Sequence, residues 1–101
     1  MTIATIADAR HFSLDDVQRN ALVQADGVHV ELLCFEAGQR DEETARDGTS
    51  VYQVLEGEAL VHVGGERHRL GKGKLATLAG GDAHTIENAG GGLLVVLATR
   101  T

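Results

Sequence analysis

Two stretches decide how this chain is read. The first is Gly38-Gln39-Arg40-Asp41-Glu42-Glu43-Thr44-Ala45-Arg46-Asp47-Gly48-Thr49-Ser50, and the second is Gly73-Lys74-Leu75-Ala76-Thr77-Leu78-Ala79-Gly80-Gly81-Asp82-Ala83-His84-Thr85-Ile86-Glu87-Asn88. Between them, residues 51–55 and 58–63 are two short, mostly apolar runs rich in Val and bounded by turn residues, which reads as a pair of strands. Glu56-Gly57 separates these two runs and predicts a hairpin between them. Gly64-Gly65 predicts a second hairpin, with residues 66–70.

Working outward, residues 20–25 and 28–35 favour strands, and Asp26-Gly27 between them is a strong two-residue hairpin signal. Residues 36–50 are polar and read as a loop with short extended pieces. Further strands are predicted at 75–78, from His84 to position 87, and at 93–98 after the run Gly90-Gly91-Gly92. Ser13-Leu14-Asp15-Asp16 is a weak helix-start signal. Residues 1–10 are compatible with a strand or a short helical turn, lying across the barrel or against a second subunit. Eight or nine short strands with glycine turns and no convincing helix point to an all-β sandwich or barrel, and spacing alone leaves several such architectures open.

The composition sets bounds on function. A chain of 101 residues forms one domain, able to bury roughly 65% of the surface its unfolded form exposes. Only three residues are Tyr or Phe, so the core must be aliphatic. Fifteen acids against nine bases, a net charge of −6, oppose binding to nucleic acid or to anionic membranes, both of which need a basic surface. The longest apolar run, 93–98, is too short to span a bilayer. Cys34 is the single cysteine and has no partner for a disulfide. With no signal-peptide pattern at the start, the expectation is a cytoplasmic protein.

The intervals Gly38-x5-Thr44-x-Arg46-x3-Ser50-x6-Gly57 and Gly73-x5-Ala79-x-Gly81-x2-His84-x3-Asn88 resemble, in every spacing, the two motifs of the cupin family. That family's motifs read G-x5-H-x-H-x3-E-x6-G and G-x5-P-x-G-x2-H-x3-N. The resemblance implies a single domain over residues 1–101, a double-stranded β-helix or jelly-roll barrel with its motif core at 38–88. It also implies that positions 44, 46, 50 and 84 converge inside the barrel, where relatives hold a divalent metal. Here those positions are Thr44, Arg46, Ser50 and His84. Hydroxyls are weak ligands for transition metals, and a guanidinium has no lone pair to give, so no metal or other cofactor is expected.

The same side chains suit a different task. An inward arginine, two hydroxyls and an imidazole within aliphatic walls would receive a carboxylate, a phosphate or a sugar. Arg46 could instead swing outward to pair with Asp41, Glu42 or Asp47. If Ser50 faces inward, strand alternation turns Tyr52 and Val54 inward as well. A two-residue turn at Glu56-Gly57 would then set Val54 opposite Ala59 and Tyr52 opposite Val61, with Val63 inward and His62 outward. His29, beside Glu31 in parity, reads as a surface pair or subunit contact. His11 and His68 read as exposed, and Cys34 as a buried, inert thiol.

The leading expectation is a metal-free cupin that binds a small anionic molecule through Thr44, Arg46, Ser50, Tyr52 and His84, as a sensor, carrier or accessory protein. An alternative is an enzyme, such as a sugar isomerase or epimerase with His84 as acid or base. A further alternative is a metal enzyme using His84 with the substitute ligands Glu42, Glu43 or Asp47. Apolar residues expected on the outer surface, Val51, Leu55, Leu60 and the 93–98 run, predict a homodimer unless residues 1–12 cover them.

Overall fold

Strand alternation meets in one place, a 12-residue apolar cluster that both sheets of the barrel share. The computed structural model describes all residues, 1–101. A 3-10 turn, η1 (Ile6–Ala9), precedes eight strands: β1 (Gln18–Ala25), β2 (Val28–Phe35), β3 (Ser50–Glu56), β4 (Glu58–Val63), β5 (Glu66–Gly71), β6 (Leu75–Leu78), β7 (His84–Asn88) and β8 (Leu94–Arg100). One sheet has the order β1-β2-β8-β3-β6 and the other β5-β4-β7. Every pairing is antiparallel.

The predicted first hairpin forms, with Asp26 and Gly27 both at positive φ as a tight two-residue turn demands. So does the hairpin of β4 and β5 across Gly64-Gly65. The predicted hairpin of β3 with β4 does not form. Both edges of β3 are already taken, one by β8 and the other by β6, while β4 lies between β5 and β7. Gly57 instead carries the chain from one sheet to the other. It sits at φ +84°, and a Cβ there would stand 2.3 Å from the carbonyl oxygen of Leu93, so only glycine fits the crossing. Tyr52 therefore lies between Ala98 and Ala76 rather than opposite Val61.

The predicted faces survive this change of partner, because alternation is a property of each strand by itself. Ser50, Tyr52, Val54, Ala59 and Val61 are all buried, and Val63 packs half-buried against the same cluster. Burying each large aliphatic or aromatic side chain contributes about 1.5–3 kcal/mol, which makes the shared interior the main source of stability.

The outer face of the five-stranded sheet carries a second, smaller cluster. Ala9, Leu32, Cys34 and Val95 are buried there, with Phe12, Leu22, Leu55 and Leu97 packed around them. The N-terminal segment thus covers part of the surface that the sequence left open. Burial pushes the Cys34 thiol above its ordinary pKa, in keeping with an inert side chain. Residues 13–16 bend without forming a helix, with Ser13 Oγ accepting from the Asp15 N–H. No helix is long and apolar enough to cross a membrane.

Candidate functional site

Three neighbouring strands turn polar at the same end of the barrel. Inward-facing β8 residues run Leu94, Val96, Ala98, Arg100, and the register sets Arg100 opposite Ser50 and Ala98 opposite Glu31. On β1, Arg19 stands opposite Leu33 and so shares the inner face. Glu31 sits between the two arginines. Its Oε1 accepts from Arg19 Nη1 at 3.0 Å and from Arg100 Nη1. Arg19 Nη2 also donates to Asp41 Oδ2 at 2.8 Å, and Asp41 Oδ1 accepts from the Ile86 N–H at 2.7 Å and from Thr85 Oγ1 at 3.0 Å.

Asp41 belongs to a segment that runs beside β7. Backbone bonds join Asp41 to Ile86 and Asn88 to Gln39, and a reciprocal pair at 2.8 and 2.9 Å joins Thr44 to His84. Together with β7, this segment forms one wall of the polar end. Asn88 closes the opposite end, donating from Nδ2 to the carbonyl oxygens of Phe35, Glu36 and Gly92.

Beneath the ionic cluster lies a hydrogen-bonded pair. Tyr52 Oη and His84 Nε2 are 2.6 Å apart, and His84 Nδ1 is 2.8 Å from the carbonyl oxygen of Asp82. A carbonyl can only accept, so Nδ1 carries a proton, and in the neutral imidazole Nε2 accepts from the tyrosine hydroxyl. The Arg100 guanidinium lies 5.9 Å from the Tyr52 ring centroid, and its Nη2 approaches the hydroxyl to 3.5 Å. Arg100 is 4% exposed, and its Nε–H is a buried polar group with no partner.

A cavity of about 380 Å³ opens over this cluster, lined by Arg19, Glu31, Asp41, Thr44, Arg46 and Arg100, with Asp16, Glu42 and Glu43 on its flanks. Three arginines face five carboxylates, a formal excess of two negative charges.

Of the predicted site residues, Thr44 and Arg46 line the cavity, whereas Ser50, Tyr52 and His84 are buried below it. Arg46 does not point into the barrel. Its side chain is exposed at the mouth and joins no ion pair, so it is neither the interior arginine nor the partner of Asp41, Glu42 or Asp47. The resemblance to the family motif implied an inward position, but no strand spans position 46, where only the carbonyl oxygen is engaged, by the Gly81 N–H. The interior arginine is Arg100. The sequence reading ended the last strand at 98, two residues too early to count Arg100 with Leu94, Val96 and Ala98. It also assigned the parity of Glu31 to a surface pair with His29, which is exposed.

The family's usual metal does not fit this donor set. Thr44 Oγ1 is turned to the Glu42 carbonyl at 3.2 Å, Arg46 is outside, and both ring nitrogens of His84 are occupied. The substitute set is not assembled either, since nowhere do three His, Cys, Asp or Glu side chains gather as ligands. Glu42, Glu43 and Asp47 stay in solvent because their segment is exposed around the half-buried Thr44.

A family model described as a cupin domain matches residues 31–100, most of the chain. The chain belongs to the cupin family. No curated protein sequence matches this cupin significantly. Among solved structures, TT1209 from Thermus thermophilus superposes with a TM-score of 0.92 at 22% identity, covering 100% of this chain and 97% of its own. A Klebsiella pneumoniae protein with a double-stranded β-helix domain gives 0.92 at 19% identity, covering 100% and 90%. KdgF from a Halomonas species gives 0.82 at 15% identity, covering 99% and 93%. These likenesses carry the all-β, double-stranded β-helix fold.

Proposed function

We propose that this cupin binds a small anionic molecule at the polar mouth of its barrel, using arginines where relatives use a metal. The observation that carries the reading is the buried Arg100, which lines the cavity while its Nε–H lacks a partner. A buried donor without an acceptor costs about 1–3 kcal/mol, which a ligand oxygen would offset. Arg46 adds a cation at the rim with no carboxylate of its own, and the Thr44 hydroxyl lies beside it. The net negative lining disfavours a highly charged ligand and favours one compact anionic group held by directed donors.

A thermal-shift panel tests this. Small carboxylates and phosphates should raise the melting temperature above that seen with their neutral analogues, with the logarithmic concentration dependence of specific binding. Arg100→Gln should remove the preference, and Arg46→Lys should weaken it by removing the two-pronged donor. Equal shifts for charged and neutral members would overturn the reading. Protein purified without a histidine tag should carry no stoichiometric divalent metal. One equivalent, released by His84→Ala, would count against arginines in the metal's place.

A second reading rests on the Tyr52 and His84 pair. With Nδ1 held by Asp82, His84 can receive a proton at Nε2 from Tyr52, which suits acid–base work on a sugar or related substrate, such as an isomerisation or epimerisation. Turnover lost in both Tyr52→Phe and His84→Gln, with anion binding retained, would favour it. We also propose a cytoplasmic homodimer paired through the half-buried Val51, Leu55 and Leu97. Light scattering that reports a monomer mass at micromolar concentration would refute the pairing.

A further inference from the structure

We propose that the guanidiniums of Arg19 and Arg100 form a carboxylate-binding subsite that the chain itself fills with Glu31, and that an external monocarboxylate enters by displacing it. The inference rests in part on the anion-binding reading above. Two guanidiniums from non-adjacent strands converge on one oxygen, Oε1 of Glu31. That is the arrangement by which arginines recognise a carboxylate.

Exposure separates the members of the cluster. The Arg100 side chain is 4% exposed and fixed against the Tyr52 ring, whereas the Glu31 side chain is 20% exposed and lines the cavity. Arg19 is more exposed still, at 34%, but it is the cation that a carboxylate needs, so Glu31 is the member whose departure opens the subsite. Arg19 keeps its second partner, Asp41 Oδ2 at 2.8 Å, and so holds its position when Glu31 withdraws. Charge then balances. An incoming carboxylate replaces the one that moves to water, so no guanidinium is left buried without a counter-charge. The class of ligand follows, a compact monoanion presenting a planar carboxylate.

The full chain, its Glu31→Gln variant and its Glu42→Gln variant would be titrated calorimetrically with acetate, benzoate and inorganic phosphate. Both variants remove one negative charge from the cavity, but only Glu31→Gln replaces the carboxylate in the subsite with a neutral, more weakly held amide. Glu31→Gln should bind acetate and benzoate roughly tenfold more tightly, the scale of one charge about 4 Å away at an effective dielectric of about 60 in this partly open site, and Glu42→Gln no more than about twofold. Adding Arg100→Gln to Glu31→Gln should abolish the gain. In the unmodified protein, acetate should shift the side-chain Nε–H NMR resonance of Arg100, which a purely structural ion pair would leave unmoved. Should Glu31→Gln fold poorly, Glu31→Asp withdraws the carboxylate by one methylene and should tighten binding in the same direction.

Equal gains in the two variants, or none at Glu31, would overturn the exchange while leaving anion binding in place. Binding by Glu31→Gln alone would uphold the subsite and overturn the anion-binding reading for the natural chain. Silence in all variants would remove both.

Discussion

At one end of the barrel interior β2, β3 and β8 contribute Phe35, Val54 and Leu94, and at the other the same strands contribute Glu31, Ser50 and Arg100. The first set is fully buried and adds stability by leaving water. The second opposes folding until its charges are paired, because desolvating an ion costs several kcal/mol. Strand alternation is identical at both ends. Apolar burial and charge are thus separated along the length of the strands, not between different elements.

Truncation should show the contrast at its largest in the closed end. Phe35→Ala is expected to cost about 3–5 kcal/mol in urea denaturation, a large share of the roughly 5–15 kcal/mol available to a domain of this size. A smaller loss than that of Arg100→Met would invert the comparison. Arg100→Met should cost about 2–3 kcal/mol, below the usual penalty for a broken buried pair, since Glu31 retains Arg19. Adding Glu31→Met should restore stability, and a double variant less stable than the single would show that the ion cluster contributes more than it costs.

Tyr52→Phe sits between the two regimes. It keeps the ring in the core but leaves His84 Nε2 buried without its donor, at a cost of about 1–2 kcal/mol by the same measurement. An unchanged denaturation midpoint would mean that the 2.6 Å bond adds nothing to the fold.

The smallest effect belongs to neither end. On the outer surface Arg10 forks onto Glu56, with its nitrogens 3.2 and 2.8 Å from the two carboxylate oxygens. This hydrogen bond holds the Glu56 carboxyl below its usual range. A lowered folded pKa means that the stabilisation is present above the ordinary glutamate value, about 4.3, and is lost as pH falls through the lowered one. Arg10→Gln should flatten that part of the acid-stability curve, an effect that added salt should shrink in the unmodified protein. Identical acid curves would show the pair to be energetically silent.

Much of the fold was legible because its signals are local. The turn at Asp26-Gly27 needs only two residues able to hold positive φ, and the faces of β3 and β4 need only a period of two. The spacing from Gly38 to Asn88 carried the family because loops of set length connect the strands of this barrel. The pairing of β3 was not legible in the same way. Glu56-Gly57 looks like a hairpin turn, and nothing within ten residues reveals that β8 and β6 have already claimed both edges of β3.

The candidate site divides along the same line. His84 and Tyr52 were visible because one lies at a motif position and the other follows from it by parity, and their hydrogen bond joins residues 32 apart. Arg46 was misplaced because its inward position was carried over from the motif, and spacing fixes where the backbone lies but not where a side chain outside any strand points. Sequence alone determined that the chain is an all-β cupin barrel whose family ligand positions carry Thr44, Arg46, Ser50 and His84. Only the tertiary structure decided that Arg19, Glu31, Asp41 and Arg100 meet at its mouth. They come from β1, β2, a loop and β8, and long-range antiparallel register alone brings charges so distant in sequence within hydrogen-bonding reach.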